Sequence, residues 1–583
     1  MIHQKMLLYS QQKNTKLWYK IISKRFQILI KAMQNINNPK WVVKLPYIIA
    51  LTLAGGILLG ASIFGGHNAK NGTLGKGINK YREVLMWVDN SYVDSVDTDT
   101  LVDYSIKKML EKLDPHTAYF PPKEAVQART QLESGFDGIG VEFNIFNDSL
   151  FVISPMIGGP SESVGIMAGD AILKANGTNL TGKNLTSALV FNSLRGPRGS
   201  EVKLEIGRKG QKQPLNFTVK RDRIPSFSID AGYMIDAKTG FIKVTRFSES
   251  TYEEFRTIVG SLKSQGMKQL ILDLRGNGGG YKDRAEKMAD ELLSGEKVIV
   301  STDGKGTQYD SKTFTKFEGQ FEQGSVIVLV DEGSASASEI VAGALQDHDR
   351  ALVVGRRSFG KGLVQMPINL SDGSELRLTI SRYYTPSGRS IQKPYSLGGD
   401  EKYDQDYAKR LKNGEMFNAD SIKQNKKMTY KTDNGRLVYG GGGIMPDVFV
   451  ARDTTQMSNY LYQLWSTSSI RAYAFKYALT HKASLEKQDF NVFLKTFVVN
   501  ETMLNEMVKT ATENGVKLKE SEYQRSKPLI KYQIKAYIAR QIWQKKANSG
   551  LNNEYYQVMN PTDETLMKAL ALMPKVSETI SKH

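Results

Sequence analysis

The sequence predicts an α/β core on a parallel-rich sheet, preceded by a smaller β-rich module and followed by a helical C-terminal extension, with one transmembrane helix near the N-terminus. Three observations carry this. Apolar runs at 270–274, 326–330 and 351–354, broken only by Asp273, alternate with amphipathic stretches, as in a sheet covered on both faces. Between 135 and 222, short strand-like segments are separated by glycine-rich turns. An uncharged apolar stretch, 45–66, follows a leader with nine Lys/Arg and no Asp or Glu.

The leader, residues 1–44, therefore supplies +9 of the net charge of +19. The remaining charge mixes both signs over a long chain, which argues against a nucleic-acid face. About 20 apolar residues span a bilayer as a helix, and 45–66 has that length. Lys/Arg excess holds its flank in the cytoplasm. The expectation is a single-pass protein of a bacterial inner membrane, with a basic cytoplasmic leader and a catalytic part on the periplasmic side. The long leader and the lack of a clear Ala-x-Ala site favour an uncleaved anchor over a signal peptide. A start at Met33 would leave a short, ordinary basic flank. The chain has 583 residues, 40% apolar and 24% charged, so several packed domains are expected. It contains no cysteine, which removes disulfides, thiolate chemistry and Cys-bound zinc.

Residues 75–130 read as an N-terminal helical segment. Tyr81, Val84, Leu85 and Val88 recur at helical spacing, as do Ile106, Met109, Leu110 and Leu113. Turn signals close it: Asp114-Pro115-His116 and Pro121-Pro122. In the module 135–222, strands are expected at Val141–Phe143, Leu150–Ile153, Ala171–Leu173 and Val202–Ile206. A loop is expected at Arg195–Gly199. In the core, 225–450, Gly240–Val244, Leu270–Leu274, Val326–Val330 and Ala351–Val354 read as strands. Tyr252–Gln265, Asp283–Leu293 and Glu339–Leu345 read as helices. The polar stretch 396–440 reads as an insertion or flexible loop. From 455 to 583 the pattern is helical, with Ile534, Tyr537, Ile538 and Ile542 in one apolar stripe and nothing catalytic.

Three loops after the buried strands carry chemistry, and sites in such folds lie at the strands' C-terminal ends. In the first, Asp273-Leu274-Arg275-Gly276-Asn277-Gly278-Gly279-Gly280, successive glycines free N–H groups to face an anion. That suits an oxyanion hole, though a flexible turn would look the same. In the second, Ser334-Ala335-Ser336-Ala337-Ser338-Glu339-Ile340, Ser336 and Glu339 match a capping box. An N-cap also puts a hydroxyl beside free N–H groups, a good place for a nucleophile. The third, Gly355-Arg356-Arg357-Ser358-Phe359-Gly360-Lys361-Gly362, resembles a P-loop. Gly362 lacks the metal-binding hydroxyl, however, and a strand follows instead of a helix, so nucleotide binding is rejected. A serine nucleophile needs a base. None of the six histidines, His3, His67, His116, His348, His481 and His583, is placed beside one by sequence. A buried lysine, neutral near pH 7, is the alternative, and Lys361 lies between glycines.

Together these motifs resemble the carboxyl-terminal processing (tail-specific) protease family. So do Tyr384-Thr385-Pro386-Ser387-Gly388-Arg389-Ser390-Ile391-Gln392 and Gly443-Ile444-x-Pro446-Asp447. The resemblance covers about residues 75–450. It implies an α/β protease core of the crotonase/ClpP-like kind with the module 135–222 as an inserted PDZ domain. It also implies a serine endopeptidase that cuts proteins near their C-termini, with Ser336 as nucleophile, Lys361, 25 residues later, as general base, and Gln365 orienting the lysine. Backbone N–H groups of Ala337 and of Gly278 or Gly279 would form the oxyanion hole. Gly138, Ile139, Gly140 and Val141 would hold the substrate's carboxylate. The implied partners are proteins or peptides with free, apolar C-termini, and the membrane through the N-terminal helix. Nucleic acid, cofactor and metal are not expected, since no His-Glu-x-x-His cluster exists. A homo-oligomer or an adaptor is left open. The alternative is a PDZ scaffold with an inactive protease fold, which predicts loss of Ser336, Lys361 or Gln365; all three are present.

Overall fold

A strand that is apolar on both faces needs cover on both, and the computed structural model shows where each cover comes from. It describes residues 44–64, 73–130, 132–398, 401–544 and 550–582, so most of the leader lies outside the described residues. The chain divides into two units, 1–102 and 103–583. In the first, the stretch read as an anchor is helical over Leu45–Phe64, without charge, and a second helix spans Thr73–Ser91. Among the described residues no helix is long and apolar enough to cross a membrane.

The second unit holds the expected core. Strands β10 (Ile229–Met234), β11 (Thr239–Val244), β12 (Gln269–Asp273), β15 (Ser325–Val330), β16 (Leu352–Gly355) and β21 (Val448–Phe449) form one sheet in that order. All pairs are parallel except β10–β11. Alternate residues point to opposite faces. Ile242, Leu272, Val328 and Val353 pack under the helices Thr251–Ser264, Lys282–Asp290 and Ala337–Asp347. Phe241, Ile271, Ile327, Leu329 and Val354 face the other way, onto Leu566, Ala569, Met573, Val576 and Ile580. The helices Glu564–Leu572 and Val576–Lys582 are thus the second cover of this sheet.

A second sheet was not foreseen. β18 (Glu375–Tyr384) pairs antiparallel with β17 (Leu363–Asn369), β13 (Val298–Gly304) and β1 (Ala118–Phe120), and β13 pairs with β14 (Ser311–Phe314). The segment read as wholly helical, 75–130, therefore contains a strand, between the helices Thr98–Leu110 and Pro122–Thr130. Three residues are too short to show an alternation, and β1 exists because β18 offers it partners at Arg377, Leu376 and Glu375.

The β-rich module forms as expected, on a sheet ordered β3 (Val141–Phe146), β4 (Ser149–Pro155), β5 (Ala171–Ala175), β7 (Glu201–Gly207) and β8 (Leu215–Lys220). Two features differ. A helix, Ser187–Leu194, covers its core, capped by Thr186, which accepts the Leu189 N–H at 3.2 Å. The module also runs to 225, because β9 (Asp222–Pro225) pairs back onto β2 (Gly135–Gly138).

The insertion 396–440 is packed rather than flexible over its described residues. Tyr403, Met416 and Val438 are buried. Three of its charged side chains, Arg410, Glu415 and Arg436, are buried and paired. Glu415 holds Arg357 and Arg410, and Arg436 holds Asp349 and Asp447. A polar composition hides such a segment because its charges find one another instead of water. The two later motifs are structural. Asp347, at the end of the helix Ala337–Asp347, takes the Arg389 guanidinium at 2.7 Å with both side chains fully buried, and also the Ser387 N–H. Asp447 accepts from Val353 N and Gln346 Nε2.

The extension begins with a lobe of its own, five helices from Asn459 to Trp543 around Phe493, Leu504, Ile530, Ile534 and Ile538. This lobe also grips the β-rich module. Glu142 on β3 takes Arg471 at 2.6 Å and Arg540 at 2.8 Å. Arg540 continues to Asn552, whose side chain reaches Asp230 on β10.

Candidate active site

Ser336 precedes the helix Ala337–Asp347, with φ +55° and ψ −112°. A non-glycine residue held there stores about 1–3 kcal/mol of strain, so the surroundings must determine it. They do so through the backbone. Asn277, fully buried, accepts the Ala335 N–H and the Ser338 hydroxyl on its carbonyl, each at 2.9 Å. Its side chain donates to Val244 O at 3.1 Å and accepts the Gly279 N–H at 2.9 Å. One asparagine therefore ties the glycine-rich loop to the serine loop. The approach admits no side chain: a Cβ on Gly279 (φ +100°) would lie 2.8 Å from the Ser336 Cβ and 3.0 Å from the Ala337 N.

This geometry separates the two glycines. The Gly279 N–H is taken by Asn277. Among the described residues the N–H groups of Gly278 and Ala337 have no acceptor; Ala337 begins a helix, where no intrahelical acceptor exists. Behind the loop, Arg275 is held by Asp273 at 2.7 Å and by Asp563, from the extension, at 2.6 Å.

Ser336 and Lys361 are brought together by two buried side chains. Glu339 takes the Ser336 N–H at 2.8 Å and the Lys361 N–H at 2.9 Å on one oxygen. On the other it takes the Ser358 hydroxyl at 2.5 Å and the Gly360 N–H at 2.7 Å. The Tyr383 hydroxyl bridges the carbonyls of Ser336 and Lys361 at 3.1 and 2.8 Å. The sequence sign read as a capping box is present here, with Glu339 reaching back to the Ser336 N–H. Burial pushes the Glu339 carboxyl up to about 7, and its four donors pull the other way.

The Lys361 ammonium is lowered from its ordinary range, first by burial and then by the charge of Arg377; Asp114 and Glu339 oppose this. Its Nζ donates to Gln365 Oε1 at 2.8 Å. Gln365 Nε2 in turn donates to the carbonyl of His116. Burial, with Lys361 nearby, brings His116 down to about 4, and its Nε2 lies 2.6 Å from the Tyr403 hydroxyl. His348 is occupied elsewhere, between Asp433 and the Val298 carbonyl.

The second candidate site is the loop Gly138–Val141. Gly138 ends β2, Ile139 is buried in the module's core, Gly140 has φ +69° and Val141 opens β3. Among the described residues the N–H groups of Ile139 and Gly140 have no acceptor. Sequence reasoning missed Arg195 here. Its guanidinium stacks on Phe136 at 4.3 Å and Phe191 at 4.5 Å, and a Cβ on Gly138 would lie 3.8 Å from its Cγ. Tyr383 has no local signature at all, and Asn277 and Asp114, legible as parts of a glycine-rich loop and a turn, carry no sequence sign of these roles.

Compared with family models, residues 238–399 match peptidase family S41, residues 138–220 a PDZ domain and residues 460–544 a family of unknown function. The chain is 36% identical over 321 residues to the carboxy-terminal-processing protease of Bartonella bacilliformis, covering 54% of this chain and 73% of that protein. It is 33% identical over 355 residues to the carboxy-terminal processing protease CtpA of Bacillus subtilis, covering 60% and 74%. Among solved structures, the photosystem II D1 C-terminal processing protease is similar at 27% identity and TM-score 0.30, covering 54% of this chain and 89% of that one.

Glu339→Gln tests the bridge. An amide would turn N–H groups toward donors and leave them unaccepted, so stability should fall by about 1–3 kcal/mol, read from the urea midpoint. The sign of the pH effect follows from the raised carboxyl. Its contribution is fully present below about pH 4.5 and is lost as pH rises through about 7. The wild-type midpoint should therefore carry a decline over that window that Glu339→Gln lacks. Identical pH profiles would remove Glu339 from this role.

Proposed function

Because the chain belongs to peptidase family S41, the carboxy-terminal processing proteases, and is a serine-type peptidase, we propose that it cuts proteins near their C-termini through an acyl-enzyme on Ser336, with Lys361 as general base. One observation carries this: a buried lysine, its amine held by Gln365, shares two backbone bridges with a strained serine at a helix N-terminus.

In the proposed reaction, neutral Lys361 takes the Ser336 Oγ proton as the oxygen attacks the scissile carbonyl carbon. The oxyanion faces the N–H groups of Gly278 and Ala337, which have no acceptor among the described residues. Collapse breaks the C–N bond, and the Lys361 ammonium returns its proton to the leaving amine. Water then repeats the cycle on the acyl ester and restores Ser336. The inactive-scaffold alternative is not favoured, since Ser336, Lys361 and Gln365 are all present.

We propose further that the PDZ domain engages the substrate's C-terminus. An extended peptide adds as a strand beside β3, and its carboxylate meets the open N–H groups of Ile139 and Gly140. The Arg195 charge beside Gly138 supports this. Membrane anchoring through 45–66 and a periplasmic catalytic unit complete the proposal; they rest on the sequence alone, on the basic leader and the uncharged stretch, and not on the helix Leu45–Phe64, which by itself is not apolar enough to span.

Ser336→Ala and Lys361→Ala should each abolish cleavage of an unstructured substrate, with a folded circular-dichroism spectrum. The double variant should be scarcely worse than either. Because Lys361 must be neutral and its amine is lowered by burial, the wild-type rate should rise with pH through that lowered value. Retained activity in Lys361→Ala would refute the Ser–Lys pair. Amidating the substrate's C-terminus should raise KM about tenfold or more, the effect expected for losing a charge-assisted contact. Equal cleavage of both forms would show that the module does not read the terminus. External protease on spheroplasts should degrade everything after 66 and spare a membrane-held stub, whereas recovery of a soluble processed chain would identify 45–66 as a cleaved signal.

A further inference from the structure

We infer that the turn Asp114–Thr117 is a positioning element for the catalytic lysine: it fixes the side-chain amide of Gln365 and, through it, the amine of Lys361. The inference rests on the Ser–Lys reading above and adds to it a part of the chain that otherwise looks like a connection between a helix and a strand.

The constraint begins at the amide. A glutamine side chain presents N–H groups on one side and a carbonyl on the other, and only its partners decide which faces where. Gln365 Nε2 meets the backbone carbonyl of His116, which can only accept. That leaves Oε1 toward Lys361, whose Nζ donates to it at 2.8 Å. Without the His116 carbonyl, nothing on that side would prevent the amide from turning its N–H groups toward the amine.

The His116 carbonyl is in turn held by a carboxylate. Asp114 accepts the His116 N–H at 2.9 Å, the Thr117 N–H at 3.0 Å and the Thr117 hydroxyl at 2.5 Å, which closes the turn on itself. It also accepts the Thr379 hydroxyl at 3.0 Å. Thr379 is the residue on β18 that stands opposite Gln365 on β17. The turn is therefore pinned to the same rung of the sheet that carries Gln365. The strand after it, β1, lies along β18 and keeps that register. From the other side, the insertion supplies Tyr403, whose hydroxyl lies 2.6 Å from His116 Nε2, with Phe359 at the ring's edge.

The turn also contributes charge. The charged groups that act on Lys361 are Asp114 from the turn, Arg377 from β18 and Glu339 from the helix Ala337–Asp347, with the neutral His116 ring alongside; Lys393 acts on His116. Burial drives the lysine toward its neutral form, and Asp114 is the largest charge opposing it. Asp114 is thus asked to do two separable things, to hold the turn and to hold the lysine's proton, and two variants separate them.

The test measures kcat and KM against pH for the full chain on a peptide with a free apolar C-terminus. Asp114→Asn keeps the size and removes the charge. KM should stay within about twofold, kcat at its plateau should fall about tenfold from looser positioning, and the acid limb should move down by roughly one pH unit. The sign is fixed: removing an anion releases the lysine's proton more readily, so the neutral base persists to lower pH. Thr117→Val keeps the charge and breaks the turn's closure, so kcat should fall while the acid limb stays; Thr117→Ser should restore kcat. An unchanged kcat and limb in Asp114→Asn would overturn the inference. Should Asp114→Asn fail to fold, an unchanged kcat in Thr117→Val overturns it instead. Lys361→Ala separates this failure from that of the underlying reading: an active Lys361→Ala refutes the Ser–Lys pair, whereas an inactive one beside an unaffected Asp114→Asn refutes only the role of the turn.

Discussion

A carboxylate with no access to water must be surrounded by donors, and the donors around Glu339 are the backbones of the two loops that matter most. Ser336 N, Gly360 N, Lys361 N and the Ser358 hydroxyl converge on it from two segments, 22 to 25 residues apart, on either side of β16. None of these bonds could be given up singly without leaving a buried polar group unmatched. The loops that carry Ser336 and Lys361 are therefore one rigid object, and the unfavourable φ of Ser336 is maintained by that rigidity. Tyr383 closes the same gap from the second sheet. The antiparallel sheet is thus part of the site, because Tyr383, Gln365 and the strand next to the Asp114 turn all belong to it.

The site reads as a set of nested supports. Lys361 is oriented by Gln365, Gln365 by a backbone carbonyl, and that carbonyl by a turn closed on a carboxylate. Each step exchanges a flexible group for a stiffer one, ending at a strand register. The same enclosure disposes of the histidine. Once walled in by Tyr403 and Phe359 and placed near a lysine, the His116 imidazole is neutral over the working range and serves through its main chain.

The parallel strands were legible in the sequence because burial on both faces leaves a local mark, an unbroken apolar run such as Val326–Val330. The loops that carry Ser336 and Lys361 were legible because glycines and small residues crowd into them for steric reasons that act over a few positions. What escaped was non-local. β1 is three residues long and owes its conformation to β18. Asn277 and Tyr383 act through partners on other loops. The insertion looked solvent-loving because Arg357, Glu415 and Arg410 neutralise one another inside the fold. The two final helices have the same apolar spacing as the lobe before them, and nothing in that spacing says that one set covers the catalytic sheet and the other covers itself.

That last division bears on the order in which the molecule can be completed. Ala231, Tyr233, Phe241, Ile271, Ile327, Leu329, Leu352 and Val354 are all synthesised before the helices that cover them. The Arg275 behind the glycine loop likewise waits for Asp563. During chain growth, then, the machinery for cutting other proteins exists only as a one-sided layer with an adhesive face, and it is sealed when residues 564–580 arrive. The vectorial order of synthesis itself therefore holds back closure of that layer until residues 564–580 have been delivered.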